Sequence, residues 1–152
     1  MVRKSMGLSV VIAGCALIFA GGLASAGEAP LAPVPAEYAD KHMPAGGWTD
    51  AKAIEEGKKI YEGKAVNDVD CSACHGTDGK PKKKGARDLR DPKNASRYSD
   101  SYWFWRVSEG IPKTKMKANK AKLSEEQIWQ VIAYQHMFSH DGKASEHSDY
   151  KP

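Results

Sequence analysis

The sequence predicts an all-α domain. Three stretches place apolar residues at helical spacing, cap or stop residues bound each of them, and no alternating run reads as a strand. The first stretch runs from Asp50 to Glu62, with Gly63 as its stop, and puts Ala53, Ile54, Gly57, Ile60 and Tyr61 on one face. The second, Asp100 to Glu109, is dense in aromatics (Tyr102, Trp103, Phe104, Trp105) and closes at Gly110. The third has the clearest start. Ser124 caps it, Gln127 sits three residues on as the reciprocal partner, and Leu123 and Ile128 can form a hydrophobic staple. Its expected buried face is Ile128, Val131, Ile132 and either Gln135 or Tyr134, with Phe138 near the end.

The flanks read differently. Arg3 and Lys4 precede an apolar stretch from Met6 to Leu23, and Ala24-Ser25-Ala26 has the small-residue form of a cleavage site. Residues 1–26 are therefore expected to be a signal peptide that exports the chain, in a bacterium to the periplasm. Two alternatives stay open: lipidation at Cys15, within Ile12-Ala13-Gly14-Cys15, or retention of the segment as a membrane anchor. Residues 27–49, rich in Pro, Ala and Gly, read as a leader or linker. The domain proper is expected over 50–140, and the polar residues 141–152 as a flexible tail.

Cys71-Ser72-Ala73-Cys74-His75 carries the chemistry. Two thiols about one helical turn apart can bond the two vinyl-derived carbons on one side of a porphyrin, and the next residue can set its imidazole beneath the iron. A structural zinc site needs four Cys/His ligands, and no second CxxC exists; a thioredoxin-like pair needs a βαβ setting that is missing. Cys71 and Cys74 are thus expected to hold one haem c covalently, with His75 as an axial iron ligand.

In this order and spacing, the pattern over residues 50–140 resembles class I cytochromes c. Gly57 and Tyr61 look like that family's N-terminal-helix glycine and aromatic, Ile132-Ala133-Tyr134 like the matching C-terminal-helix contact, and Gly110-Ile111-Pro112-Lys113-Thr114-Lys115-Met116 like the loop that delivers a distal methionine. The resemblance implies a cytochrome c fold, three main helices around one covalent haem, with Gly57 where the outer two helices cross. Met116 is the expected second axial ligand, ahead of Met137 (core filler), Met43 (surface or linker) and the histidines His136, His140 and His147, which read as solvent-exposed. Two departures from the family pattern stand out. The run Gly85-Ala86-Arg87-Asp88-Leu89 lacks the proline whose carbonyl commonly receives the proximal imidazole N–H, and Lys117 follows Met116 where proline is common.

Charge is unevenly spread. Residues 80–122 carry 14 basic and 4 acidic side chains, whereas 27–79 carry 5 and 10 and 123–152 carry 2 and 5. Such a basic band fits acidic redox partners and no basic–aromatic pattern supports nucleic acid. The expected function is electron transfer rather than enzymatic catalysis, as a soluble carrier or as the haem subunit of a respiratory oxidoreductase of the membrane or periplasm. The aromatic segment 97–106 hints at the nitrite/nitrate type. The alternative is a haem peroxidase or ligand sensor, which requires an open iron site.

Overall fold

A computed structural model describes residues 31–147. The signal-peptide, lipidation and anchor readings lie outside the described residues. Five helices follow in order: α1 (Ala51–Tyr61), α2 (Ser72–His75), α3 (Pro92–Arg97), α4 (Asp100–Glu109) and α5 (Glu125–His136). Short 3-10 turns span Ala36–Tyr38 and Met137–His140, and no strand occurs among the described residues. The three expected helices are α1, α4 and α5, while α2 and α3 are too short to show a period in sequence. None of the described helices is long and apolar enough to cross a membrane.

Local chemistry sets the boundaries. Asp50 starts α1 by accepting the Lys52 and Ala53 amides at 2.8 and 3.0 Å, and Ser99 starts α4 by accepting the Tyr102 amide at 3.2 Å. The capping box forms in full at α5: Ser124 Oγ accepts the Gln127 amide at 3.2 Å and Gln127 Oε1 accepts the Ser124 amide at 2.9 Å. Leu123 and Ile128 are both buried beside it.

Packing turns on the crossing of α1 and α5. A Cβ on Gly57 would sit 1.9 Å from the Gln130 carbonyl oxygen, so the backbones touch there and only a missing side chain permits it. One turn on, Tyr61 is fully buried and meets Tyr134 edge-on at 5.3 Å and Phe138 at 5.5 Å. Val131 and Ile132 are likewise fully buried.

More of α5 is buried than its expected face. Trp129, Ala133 and His136 are also enclosed, because α4 and the chain before α1 cover the opposite side. Trp129 packs on Phe104 at 4.7 Å and Trp48 on His136 at 4.6 Å. The leader reading of 27–49 therefore needs correction where the structure describes it. Tyr38 hydrogen-bonds Glu109, Met43 N–H donates to Asp100 at 2.8 Å, and Lys41 pairs with Glu125 at 2.6 Å while lying over the Phe104 ring. Specific polar contacts and one large indole, Trp48 at 5 % exposure, turn a Pro/Gly-rich composition into a strap. Met43 is half-buried against the core rather than on the surface.

The tail reading changes likewise. His147 Nε2 donates to the Tyr98 carbonyl at 2.8 Å, and Glu146 accepts from Thr49 at 3.0 Å. Of the histidines read as exposed, His136 is buried at 3 % exposure; His140 and His147 are half-buried against it.

Because the Gly57 contact is backbone on backbone, no rotamer change can relieve an added methyl. Gly57→Ala is expected to lower stability by about 1–3 kcal/mol and Gly57→Leu by more, read as a fall in thermal midpoint with the spectrum of the attached haem kept.

Candidate functional site

The Cys71–His75 segment is folded by its neighbours. Asp70 Oδ1 accepts the Ser72 hydroxyl at 2.7 Å and the Ala73 amide at 3.0 Å, which starts α2. The Cys74 and His75 amides both donate to the Cys71 carbonyl, at 3.2 and 2.9 Å. Cys71 and Cys74 therefore stand one turn apart on one side, as two half-buried free thiols. Burial pushes the Cys71 thiol up to about 12, with the Asp70 carboxylate adding to it. A free Cys71 thiol is thus neutral at physiological pH.

The turn is anchored on both sides. Tyr61 donates its buried hydroxyl to the Gly76 carbonyl at 2.9 Å, which ties the α1–α5 crossing directly to the end of α2. Gly76 has φ 78° and no room for a side chain, since a Cβ would meet the Lys80 carbonyl at 2.1 Å. The chain then folds back, and the Cys74 carbonyl accepts the Lys82 amide at 2.9 Å.

His75 Nδ1 lies 3.1 Å from the Arg87 carbonyl. A carbonyl only accepts, so Nδ1 carries the proton and Nε2 keeps the lone pair that a metal needs. The acceptor left open in the sequence, for want of a proline, is thus Arg87. Its loop is stiffened locally. The Leu89 amide donates to Gly79 O at 3.0 Å, and Arg90 grips Asp88 with two bonds at 3.0 and 2.7 Å, which holds the Asp88 carboxyl down at about 2. The Arg87 guanidinium reaches Asn94 at 2.9 Å and lies over the Tyr98 ring. Leu89 is buried, at 7 % exposure.

Met116 sits on a separate loop after α4. The Ile111 amide donates to Met116 O at 3.0 Å, Thr114 Oγ1 accepts the Met116 amide at 3.1 Å, and Asn119 binds back to Val107 O at 3.0 Å. The loop is pinned at both ends, and the Met116 side chain is half-buried in it. None of the described contacts joins Met116 to the Cys71–His75 turn. Met137 packs against the core, in keeping with a filling role. The lysine-rich loops are exposed at Lys80, Lys82, Lys83, Lys84, Lys113, Lys115 and Lys117; Lys120 pairs with Glu109 at 2.6 Å and Lys122 approaches Asp68 at 4.0 Å.

Among the described residues no three His, Cys, Asp or Glu side chains gather to hold a bare metal ion. The donors present suit an iron that brings its own four nitrogens: two thiols to bond a macrocycle's edge, one imidazole with its far nitrogen committed to a carbonyl, and a thioether in reserve. Such a turn, set in an all-α domain, defines a c-type cytochrome.

The chain belongs to the family described as cytochrome c oxidase, cbb3-type, subunit III, whose model matches residues 52–134. Membership makes haem c the covalently held cofactor, electron transfer the function and the cytochrome c fold the architecture. Among solved structures, the chain is similar to the KustC0563 c-type cytochrome at 29 % identity, over 54 % of this chain and 95 % of that one, with a TM-score of 0.47. It is also similar to cytochrome cL from the marine methylotrophic bacterium Methylophaga aminisulfidivorans at 21 % identity, over 74 % and 69 %, with a TM-score of 0.48. A third similarity is to the Kuenenia stuttgartiensis reducing HAO-like protein complex, at 24 % identity over 58 % and 44 %, with a TM-score of 0.44. No curated protein matches.

The Tyr61–Gly76 bond gives a direct test of how the helix crossing supports the turn. Tyr61→Phe keeps the packing and leaves a buried carbonyl unpaired, so it is expected to cost about 1–3 kcal/mol in denaturant unfolding while the haem stays attached.

Proposed function

We propose that the protein is a periplasmic electron carrier that holds its haem through thioethers at Cys71 and Cys74, with His75 and Met116 as the axial iron ligands. The observation that carries this reading is the 3.1 Å bond from His75 Nδ1 to the Arg87 carbonyl, which presents Nε2 as a ligand. The haem supplies an iron that alternates between ferric and ferrous states. The chain supplies orientation. The α2 turn places both sulfurs on one edge, Arg87 keeps the imidazole in one tautomer, and the pinned 110–119 loop offers a thioether, which favours the ferrous state over a second imidazole.

The sixth position that Met116 would close favours a carrier over a peroxidase or ligand sensor. The export expected of residues 1–26 supports the periplasm, where the partner is an acidic redox protein or an oxidoreductase complex. Ile111, at 38 % exposure, stands out as a large apolar side chain on the surface of the described residues, between Gly110 and the exposed Lys113 and Lys115. An apolar point ringed by lysines suits brief docking to an acidic surface. Tyr102, Trp103 and Trp105 are only half-exposed and engage one another's neighbours, with the Arg106 guanidinium 3.6 Å from the Trp105 ring centre, so they support a packed wall rather than a permanent interface.

Two measurements test the ligands. Cys71→Ser with Cys74→Ser in a host competent for cytochrome maturation is expected to yield a protein without the haem mass increment. Met116→Ala is expected to open the iron to carbon monoxide or cyanide and to lower the potential, whereas Met137→Ala loosens packing alone. An unchanged spectrum in Met116→Ala overturns that assignment.

Docking is read in rates. Electron transfer to the partner is expected to slow as salt rises, because exposed charges are screened beyond about 8 Å at physiological ionic strength. Lys83→Glu with Lys115→Glu should slow it further at constant potential, and Glu125→Lys with Glu126→Lys should do little.

A further inference from the structure

Three of the four histidines outside the haem motif converge on one place. His136 Nε2 and His147 Nδ1 are 3.2 Å apart, the His136 and His140 rings are centred 4.3 Å apart, and Trp48 packs on both His136 and His147, at 4.6 and 5.0 Å. These residues come from α5, from the turn after it, from the C-terminal segment and from the strap. We propose that they form an acid-released latch, which holds residues 141–147 across Trp48 at neutral pH and lets them go as the pH falls toward 5.

Hydrogen-bond partners dictate the protonation pattern. His147 Nε2 faces the Tyr98 carbonyl at 2.8 Å and so carries its proton, which leaves Nδ1 as an acceptor. His136 Nε2 must then be the donor to it. His140 Nδ1 lies 3.1 Å from the His136 carbonyl and carries its proton too. One set of neutral tautomers thus satisfies every contact. A proton added to His147 goes to Nδ1 and points at the N–H of His136. One extra charge forces His136 to move its own proton to Nδ1, and a second sets two cations and two donors against each other.

The surroundings do little to stabilise such a charge. The strap presents Trp48 and the hydroxyl of Thr49, and the α3–α4 junction presents the Tyr98 carbonyl. Charged groups line a cleft of about 330 Å³ at the edge of the cluster: Lys93 from α3 and Glu146 from the C-terminal segment, with His140 from the turn after α5. Glu146, bonded by Thr49 at the exposed rim, favours a cation at the cleft edge and Lys93 opposes one, whereas His136 lies buried behind them. Burial, reinforced by His140 and His147, holds His136 down at about 3.

The sign follows. The latched state favours neutral His136, so its contribution is complete above the ordinary histidine value of about 6.5 and fades as pH falls below it. Uptake of one proton by His136 on release shifts the released-to-latched ratio about 25-fold between pH 7 and pH 5. The consequence is that acid uncovers Trp48 and the Tyr98 carbonyl.

The experiment follows the haem-loaded, ferrous and diamagnetic protein by NMR from pH 7 to pH 5. The expected result is loss of Trp48–His147 cross-peaks with a cooperative midpoint. Amide exchange at Lys143, corrected for its intrinsic pH dependence, should accelerate about 25-fold or more, while the haem spectrum holds. His147→Asn should show the released pattern already at pH 7. His136→Phe, which keeps a ring but cannot titrate, should flatten the pH dependence. Cross-peaks and exchange that stay constant from pH 7 to pH 5 overturn the latch, as does a wild-type pH response retained in His136→Phe.

Discussion

The contact between Gly57 and the Gln130 carbonyl is the constraint on which the rest depends. It brings the axes of α1 and α5 close enough for their side chains to interlock on both sides of the crossing. Tyr61, Tyr134 and Phe138 form a ring cluster on one side of it, and Tyr61 uses its hydroxyl to hold the end of the α2 turn. Backbone proximity at one glycine is thereby transmitted through one tyrosine to the position of Cys71, Cys74 and His75. Gly57 and Gln130 are far apart in the chain, and the packing of the two helices brings them together.

The site itself is a short helix with unusual dependence on its flanks. Four residues cannot stabilise a helix alone, so Asp70, Tyr61, Lys82 and Arg87 each hold one part of it. The His75 imidazole is oriented by a backbone carbonyl, and backbone is insensitive to side-chain identity. That explains how the position can dispense with the proline common in class I cytochromes c. What proline would contribute in rigidity is supplied here by the Asp88–Arg90 pair and by the Leu89–Gly79 bond on the same loop.

Around this centre the charge is segregated, with exposed lysines on the loops before α3 and after α4. The chain before α1 and the chain after α5 meet over the far end of α5, where the histidine cluster closes. A small domain gains from such closure. Trp48 and the half-buried imidazoles cover apolar surface on a helix that would otherwise be exposed on one side.

The helical class, the three long helices, the capping box at Ser124 and the CxxCH turn are all legible in the residues alone. Each of these is local: caps reach three residues, helical periodicity repeats every few residues, and a haem-attachment motif is contiguous. Gly57 and Tyr61 were also legible, because the family resemblance names a pairing that spacing alone would not. Tertiary structure alone decided the Arg87 acceptor, the strap and the burial of His136. Arg87 acts through its carbonyl, which every residue possesses and no sequence pattern marks. Residues 27–49 read as a leader or linker because composition reports on chain stiffness and says nothing of a distant partner. His136 lies outside the expected buried face of α5, and it is buried because Trp48 and His147, distant from each other in the chain, arrive there together.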